Sequence, residues 1–313
     1  MMKRKQYTNT ILMVEPVNFN YNPQTAVNNY FQKEVNEEAD SIQNQALTEF
    51  RTMVSTLRSK GINVITVQDT PSPHTPDSIF PNNWISFHED GTVVLYPMYA
   101  ENRRQERREE DVLSFLEEKG FNITDVLDFT TAEDEEIFLE GTGSIILDRE
   151  NEIAYAAISQ RTDEELFIEF CEELEYTPVI FTANQTVNEE RLPIYHTNVM
   201  MCIADQYAIV CLSSIDDKKE RKNVVENLKD YGKEIIAITE EQMHQFAGNM
   251  LQVGGMGQSY LVMSETAFDS LTEEQKTNIE KYNPILTVKI DTIEKLGGGS
   301  ARCMMAEVFL PKN

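Results

Sequence analysis

Apolar and polar residues follow two different periods along this chain. Short β-rich runs at Ile11–Glu15, Ile62–Val67, Thr92–Tyr96, Thr124–Phe129, Ser144–Leu147 and Glu152–Ala156 predict strands. So do those at Thr177–Phe181, Asn198–Ile203, Tyr207–Cys211, Glu234–Ile238, Ser259–Val262 and Ile285–Lys289. Between them, Ile42, Ala46, Phe50, Met53, Val54 and Leu57 fall on one stripe of an amphipathic helix, and further helices are predicted near 101–119, 163–175, 217–231 and 272–282. Lys119-Gly120 and Tyr231-Gly232 supply stop signals. The rhythm is two strands, a helix and another strand, repeated irregularly, and it predicts an α/β protein. Periodicity does not say whether the strands form one sheet or several. No long Pro/Gly/Ser linker interrupts the rhythm, so residues 1–313 are expected to form a single domain.

Charge and composition narrow the partners. The sequence carries 53 acidic against 27 basic residues, a net charge of −26, which repels phosphate backbones and anionic lipid. A small molecule is the expected partner, with no nucleic acid and no membrane. No apolar run approaches the roughly 18 to 20 residues of a membrane-spanning helix. The basic start Met1 to Gln6 leads into Thr8-Asn9-Thr10 and Glu15, with no signal-peptide core, and a soluble cytoplasmic protein is expected. Cys171, Cys202, Cys211 and Cys303 have neither zinc-site spacing nor the density of a disulfide scaffold, so free thiols and no metal are expected. Cys171 falls on the stripe Leu166, Phe167, Phe170, Cys171 and Leu174, while Cys202 and Cys211 sit in strand-like runs; all three read as core. No G-x-G-x-x-G or Walker loop supports a nucleotide cofactor, and Gly254 to Gly257 reads as a β-turn.

Cys303 is different. Leu296-Gly297-Gly298-Gly299-Ser300-Ala301-Arg302-Cys303 sets a thiol behind three glycines, a loop that must bend sharply, move or approach a ligand closely. A thiol of ordinary pKa, about 8.5, is only a few per cent ionised at neutral pH, so a nucleophilic cysteine needs a nearby base. Of the four histidines, His74, His88 and His244 read as surface or loop residues. His196 lies just before the apolar run Val199 to Ile203, at a strand entrance that can face a cleft. Glu140 lies between Phe138-Leu139 and the glycine-rich Gly141-Thr142-Gly143, an unusual place for a carboxylate unless it is paired. A cysteine, a histidine and a glutamate, each beside a turn, fit a thiol enzyme with a general acid/base.

Several short segments occur in an order that carries more than any of them alone. They are Pro76-Asp77-Ser78-Ile79-Phe80-Pro81-Asn82-Asn83, Pro97-Met98-Tyr99 with Arg103-Arg104-Gln105-Glu106, Leu139-Glu140-Gly141, Ser159-Gln160-Arg161-Thr162, His196-Thr197-Asn198 and Gly297 to Cys303. This series resembles the guanidine-modifying superfamily of arginine deiminases, dimethylarginine dimethylaminohydrolases and amidinotransferases. Within it, the series is most similar to the citrulline utilisation hydrolases, or citrullinases.

The resemblance implies a pentein fold, a five-bladed α/β propeller of ββαβ units around a polar channel, with no cofactor. It implies Cys303 as nucleophile, His196 as general acid/base and Glu140 as the carboxylate that orients the histidine or a substrate nitrogen. Asp77 corresponds to a position that contacts a substrate α-amino group, Phe80 belongs to the same substrate-binding motif, and Arg103 and Arg161 correspond to positions that hold an α-carboxylate.

Two positions depart from the guanidine-binding pattern. Asn83 stands where such members carry an aspartate, and Asn198 stands at the aspartate place of arginine deiminases. A guanidinium only donates hydrogen bonds, whereas a ureido group has a carbonyl that needs a donor, which asparagine supplies and aspartate does not. The expected reaction is therefore hydrolysis of citrulline to ornithine, carbon dioxide and ammonia. An arginine or methylarginine hydrolase and an inactive amino-acid-binding protein are the rival readings. At Ser144 many relatives carry a second acid, which is missing here.

Overall fold

The computed structural model describes residues 4–312. The predicted rhythm closes on itself unit by unit. Strands Ile85–Phe87, Thr92–Leu95 and Asp125–Asp128 form one three-stranded sheet, the first pair antiparallel and the second parallel. Ile145–Asp148, Ile153–Ala157 and Thr177–Phe181 repeat the pattern, as do Met201–Ile203, Tyr207–Val210 and Glu234–Ala237, and then Leu251–Gly254, Ser259–Ser264 and Ile285–Val288. A tight turn suffices for each antiparallel pair, whereas each parallel pair needs a crossover, which the helices Glu109–Glu118, Glu164–Glu173, Lys218–Asp230 and Glu273–Glu280 provide.

The fifth sheet joins the two ends of the chain. Thr10–Glu15 pairs in parallel with Asn63–Gln68 across the helix Ala39–Ser59, and its other edge takes Ala306–Glu307 antiparallel, with Leu12 opposite Ala306. Among the described residues there are thus five such sheets and one separate hairpin, Asn184–Val187 with Glu190–Pro193. This is the five-bladed α/β propeller of the pentein proteins. The helices bury their predicted stripes; Ile42, Ala46, Phe50, Met53, Val54 and Leu57 are all buried. Asp163 and Asp217 cap the helices that follow them, and Thr239 and Thr272 form capping boxes. Among the described residues, no helix is long and apolar enough to cross a membrane.

Three local expectations are corrected. The single helix expected over 101–119 is two, Glu101–Arg104 and Glu109–Glu118, because Arg103 and Glu106 turn inward to pair with each other at the break. The strand expected at Asn198–Ile203 begins only at Met201. Thr197–Met200 is a helical turn, held by the Thr197 hydroxyl, which donates to Ser144 O at 2.5 Å and accepts from Ala157 N at 2.8 Å. His88, expected at the surface, is buried with Nε2 2.9 Å from Ser86 Oγ; burial and then the charge of Arg149 hold its pKa well below the ordinary value. The strands Ile85–Phe87, Leu251–Gly254 and Ala306–Glu307 are too short to carry a recognisable period, and each is the inner strand of its sheet. Cys171, Cys202 and Cys211 are free and buried, as expected.

Candidate active site

The residues just ahead of the inner strands converge. Asn83 ends the turn before Ile85, Glu140 precedes the turn Gly141–Ser144 before Ile145, His196 precedes Thr197–Met200 before Met201, and Cys303 lies shortly before Ala306. These strands neighbour one another from sheet to sheet, Ala306–Glu307 against Ile85–Phe87 and Met201–Ile203 against both Ile145–Asp148 and Leu251–Gly254, so their leading turns come together. Asp77, Phe80, Asn83, Arg103, Arg161, His196 and Cys303 line one small cavity together with Thr25, Tyr195, Gly297 and Gly299. Glu140 lies behind His196, and Asn198 lies against the Cys303 sulfur. All nine sequence-predicted site residues are therefore brought together, although their separation in sequence reaches from 77 to 303.

Glu140 and His196 are both buried, with Glu140 Oε2 2.6 Å from His196 Nε2. Burial raises the Glu140 pKa, but the Arg161 charge and the histidine hydrogen bond outweigh it and hold the carboxyl well below its ordinary value. Burial pushes His196 down to about 4, against the opposing pull of Glu140. A neutral imidazole that donates Nε2–H to an ionised, acceptor-only carboxylate leaves the lone pair on Nδ1. Glu140 Oε1 accepts from Tyr99 N at 2.9 Å, so this carboxylate is fully engaged. Ser144, at the place of the missing acid, instead donates to Arg161 O at 2.6 Å and accepts from Glu140 N at 3.1 Å.

The Cys303 sulfur receives two amide donors. Asn249 Nδ2 lies 3.2 Å from Sγ and Asn198 Nδ2 lies 3.5 Å from it. Asn249 Oδ1 accepts from Arg302 N at 3.0 Å, which fixes the amide with its NH2 group toward sulfur. Sequence reasoning missed Asn249. Its signal was Gly248-Asn249 just ahead of the apolar run Met250 to Val253, the same placement that singled out His196.

Both arginines hold protein partners in this structure. Arg103 grips Glu106 through Nε and Nη2, donates to Phe80 O, and gives Nη1 to Asn83 Oδ1 at 2.8 Å. Among the described residues these bonds leave one of its five N–H groups free, and they fix both Glu106 and Asn83. Because arginine only donates, it fixes the Asn83 amide with Oδ1 facing it, and Asn83 Nδ2 is left as a buried donor without a partner among the described residues. Asp77 Oδ2 accepts from Asn22 at 2.7 Å and Thr25 at 3.0 Å, while Asp77 Oδ1 has no hydrogen-bond partner among the described residues. Burial raises the Asp77 pKa, opposed by Arg103. Arg161 donates to Thr25 O at 2.9 Å and to Asn28, reaches Glu140 Oε2 at 3.4 Å, and stacks over Tyr195 at 4.9 Å. Thr25 and Asn28 belong to a covering segment that also includes Asn22, Asn29 and Gln32 and closes the cavity to about 10 Å³.

Glycine makes the close approach possible at two places. A Cβ on Gly143 would stand 2.3 Å from Asn83 Nδ2 and 2.9 Å from the His196 ring, and one on Gly297 would stand 2.7 Å from the Phe80 ring.

Known structures share this architecture. ArgZ, an arginine dihydrolase from cyanobacteria, superposes with a TM-score of 0.74 at 19% identity over 97% of this chain, which spans only 41% of that longer protein. The N-terminal domain of ArgZ bound to substrate gives a TM-score of 0.70 at 19% identity, covering 96% of this chain and 99% of that one. The dimethylarginine hydrolase DDAH from Pseudomonas aeruginosa, complexed with citrulline in a cysteine-to-serine form, gives 0.64 at 13% identity, covering 98% and 100%. No curated protein sequence matches significantly. At these identities the structures speak for the fold, and the sequence family is settled by the match over residues 15–310: the chain belongs to the family described as N,N dimethylarginine dimethylhydrolase, eukaryotic.

Proposed function

We propose that this chain, acting as one unit, is a cysteine-dependent hydrolase of the terminal C–N bonds of an arginine-type amino acid, and that citrulline is the substrate its pocket suits. The observation that carries the finer reading is Asn83 Nδ2, which has no partner among the described residues and is turned away from Arg103 toward Gly143 and the His196 ring, on a residue that lines the cavity with Cys303 and His196. A donor without a partner is costly when buried and is satisfied by a ureido carbonyl, whereas a guanidinium would set donor against donor. The unpartnered Asp77 Oδ1 suits the α-ammonium, and Arg161 the α-carboxylate once Thr25 and Asn28 withdraw with the covering segment. Opening is required, because a cavity of about 10 Å³ holds no amino acid.

In this reading neutral His196 takes the Cys303 proton, and the Asn249 and Asn198 amides favour the resulting thiolate. Sγ adds to the ureido carbon. The proton on His196 passes to the departing nitrogen, the C–N bond breaks, and a carbamoyl thioester remains if ornithine leaves. Water, deprotonated by His196, then opens the thioester to carbamate, which gives carbon dioxide and ammonia. Glu140 holds the imidazole in the required tautomer throughout.

A second reading, a guanidino substrate such as arginine or a methylarginine, has the family match in its favour and fits the arginine-directed names of the structural relatives better than citrulline does. Product analysis with citrulline, arginine and dimethylarginine separates the two, and no turnover of any would sink both in favour of a binding protein. The pocket argument has its own test in calorimetry on the Cys303→Ser form. There, Asn83→Asp is expected to weaken citrulline and strengthen arginine binding, and equal citrulline affinity in both forms would remove the case for a ureido substrate.

A further inference from the structure

A second cavity, of about 400 Å³, lies beside the covering segment and away from Cys303. That is the size of a small-molecule site. Phe31 and Phe246 form one wall, with ring centroids 5.3 Å apart, and His244 packs edge-on to Phe31 at 5.7 Å. Gln185 lines the cavity at 1% exposure; its Oε1 meets His244 Nε2 at 3.3 Å, and its Nε2 has no partner among the described residues. The charges around the rim are unevenly committed. Asp291 faces Lys289 at 3.7 Å, and Glu294 accepts the Ser300 hydroxyl at 2.6 Å, whereas no ion pair among the described residues engages Lys33 or Lys295. Of the four charged side chains lining the cavity, Asp291 and Glu294 already hold partners, and the ammonium groups of Lys33 and Lys295 are the ones left for a ligand among the described residues.

We propose that this cavity binds a small carboxylate with a flat apolar body and a second hydrogen-bond acceptor. The carboxylate sits between Lys33 and Lys295, the body lies against Phe31 and Phe246, and the acceptor takes the Gln185 amide. The site braces the catalytic cavity. Lys33 N donates to Lys295 O at 2.7 Å and Gln32 Nε2 to Leu296 O at 2.9 Å, while Gln32 Oε1 accepts from Thr25 Oγ1, which also reaches Asp77. A ligand that ties Lys33 to Lys295 therefore holds the covering segment against the helix Asp291–Gly297, which leads into the Cys303 loop.

The test uses the intact protein with 4-hydroxybenzoate and its neutral isostere 4-hydroxybenzamide as probes, so it stands whatever the substrate. Calorimetry should find the acid bound at least about tenfold more tightly than the amide, one ion-pair-assisted contact being worth that much. The double change Lys33→Gln with Lys295→Gln, both exposed and outside the catalytic cavity, should remove that preference. Hydrogen exchange should show residues 25–33 protected by the acid. No binding, equal binding of acid and amide, or an unchanged preference in the double variant overturns the site. Bound acid without protection of 25–33 overturns the brace.

Discussion

Asn249 shows how much of the chemistry rests on single amides whose orientation is forced. Arg302 N–H can only donate, so it takes Asn249 Oδ1 and turns the NH2 group onto Sγ at 3.2 Å. A hydrogen bond to a charged acceptor contributes about 1.5–3 kcal/mol. Asn249→Ala is accordingly expected to slow alkylation of Cys303 by iodoacetamide near neutral pH by at least about tenfold, a readout that needs no substrate. Alkylation as fast as in the parent would show that the contact is only packing. Cys303→Ser and His196→Ala should each cut turnover by at least about a hundredfold while the far-ultraviolet circular dichroism stays unchanged. Near-normal turnover in either variant would end the thiol mechanism.

The recurring element is a polar turn feeding a short inner strand, and its demands are steric as much as chemical. Gly141–Ser144 follows Glu140 and sets Gly143 against the Asn83 amide and the His196 ring, with no room for a side chain there. Gly143→Ala must push one of those two groups aside. Overpacking of this kind costs about 1–3 kcal/mol, and here the displaced groups are those of the site. The expectation is a modest fall in unfolding midpoint in urea together with a disproportionate loss of turnover. A variant with full turnover would mean that the turn is looser than its geometry. The same element explains why the motifs near 82, 140, 196 and 303 could be picked out at all: each is a glycine, asparagine or histidine cluster abutting an apolar run.

At the scale of the molecule, the ring depends on its closure. In the fifth sheet the strand Ala306–Glu307 comes from far along the chain, and Val308 N donates to Thr10 O at 2.9 Å beyond the Leu12–Ala306 pair. Val308→Pro removes that donor and is expected to lower thermal stability, with fluorescence and turnover lost in one transition because Cys303 lies just ahead of the closing strand. Loss of turnover well before the fluorescence change would show that the closing segment unfolds separately from the remaining blades.

The sequence by itself determined the periods, and through them the α/β rhythm, the buried helix stripes and the approximate ends of most of the longer strands, because those depend on neighbours a few residues away. It also marked Cys303, His196 and Glu140, since a polar group beside a glycine turn and an apolar run is locally out of place. Tertiary structure decided the rest. Only the ring brings Asn249 and Asn198 to the sulfur, buries His88, and breaks the 101–119 helix so that Arg103 can reach Glu106 and Asn83. Arg103 reads as a solvated basic residue in the sequence Arg103-Arg104-Gln105-Glu106-Arg107-Arg108, yet it is 2% exposed, and whether it holds a ligand or another side chain depends on where its five donors go. That is fixed by partners supplied from elsewhere along the chain, a relation that no local pattern of hydrophobic and polar positions encodes.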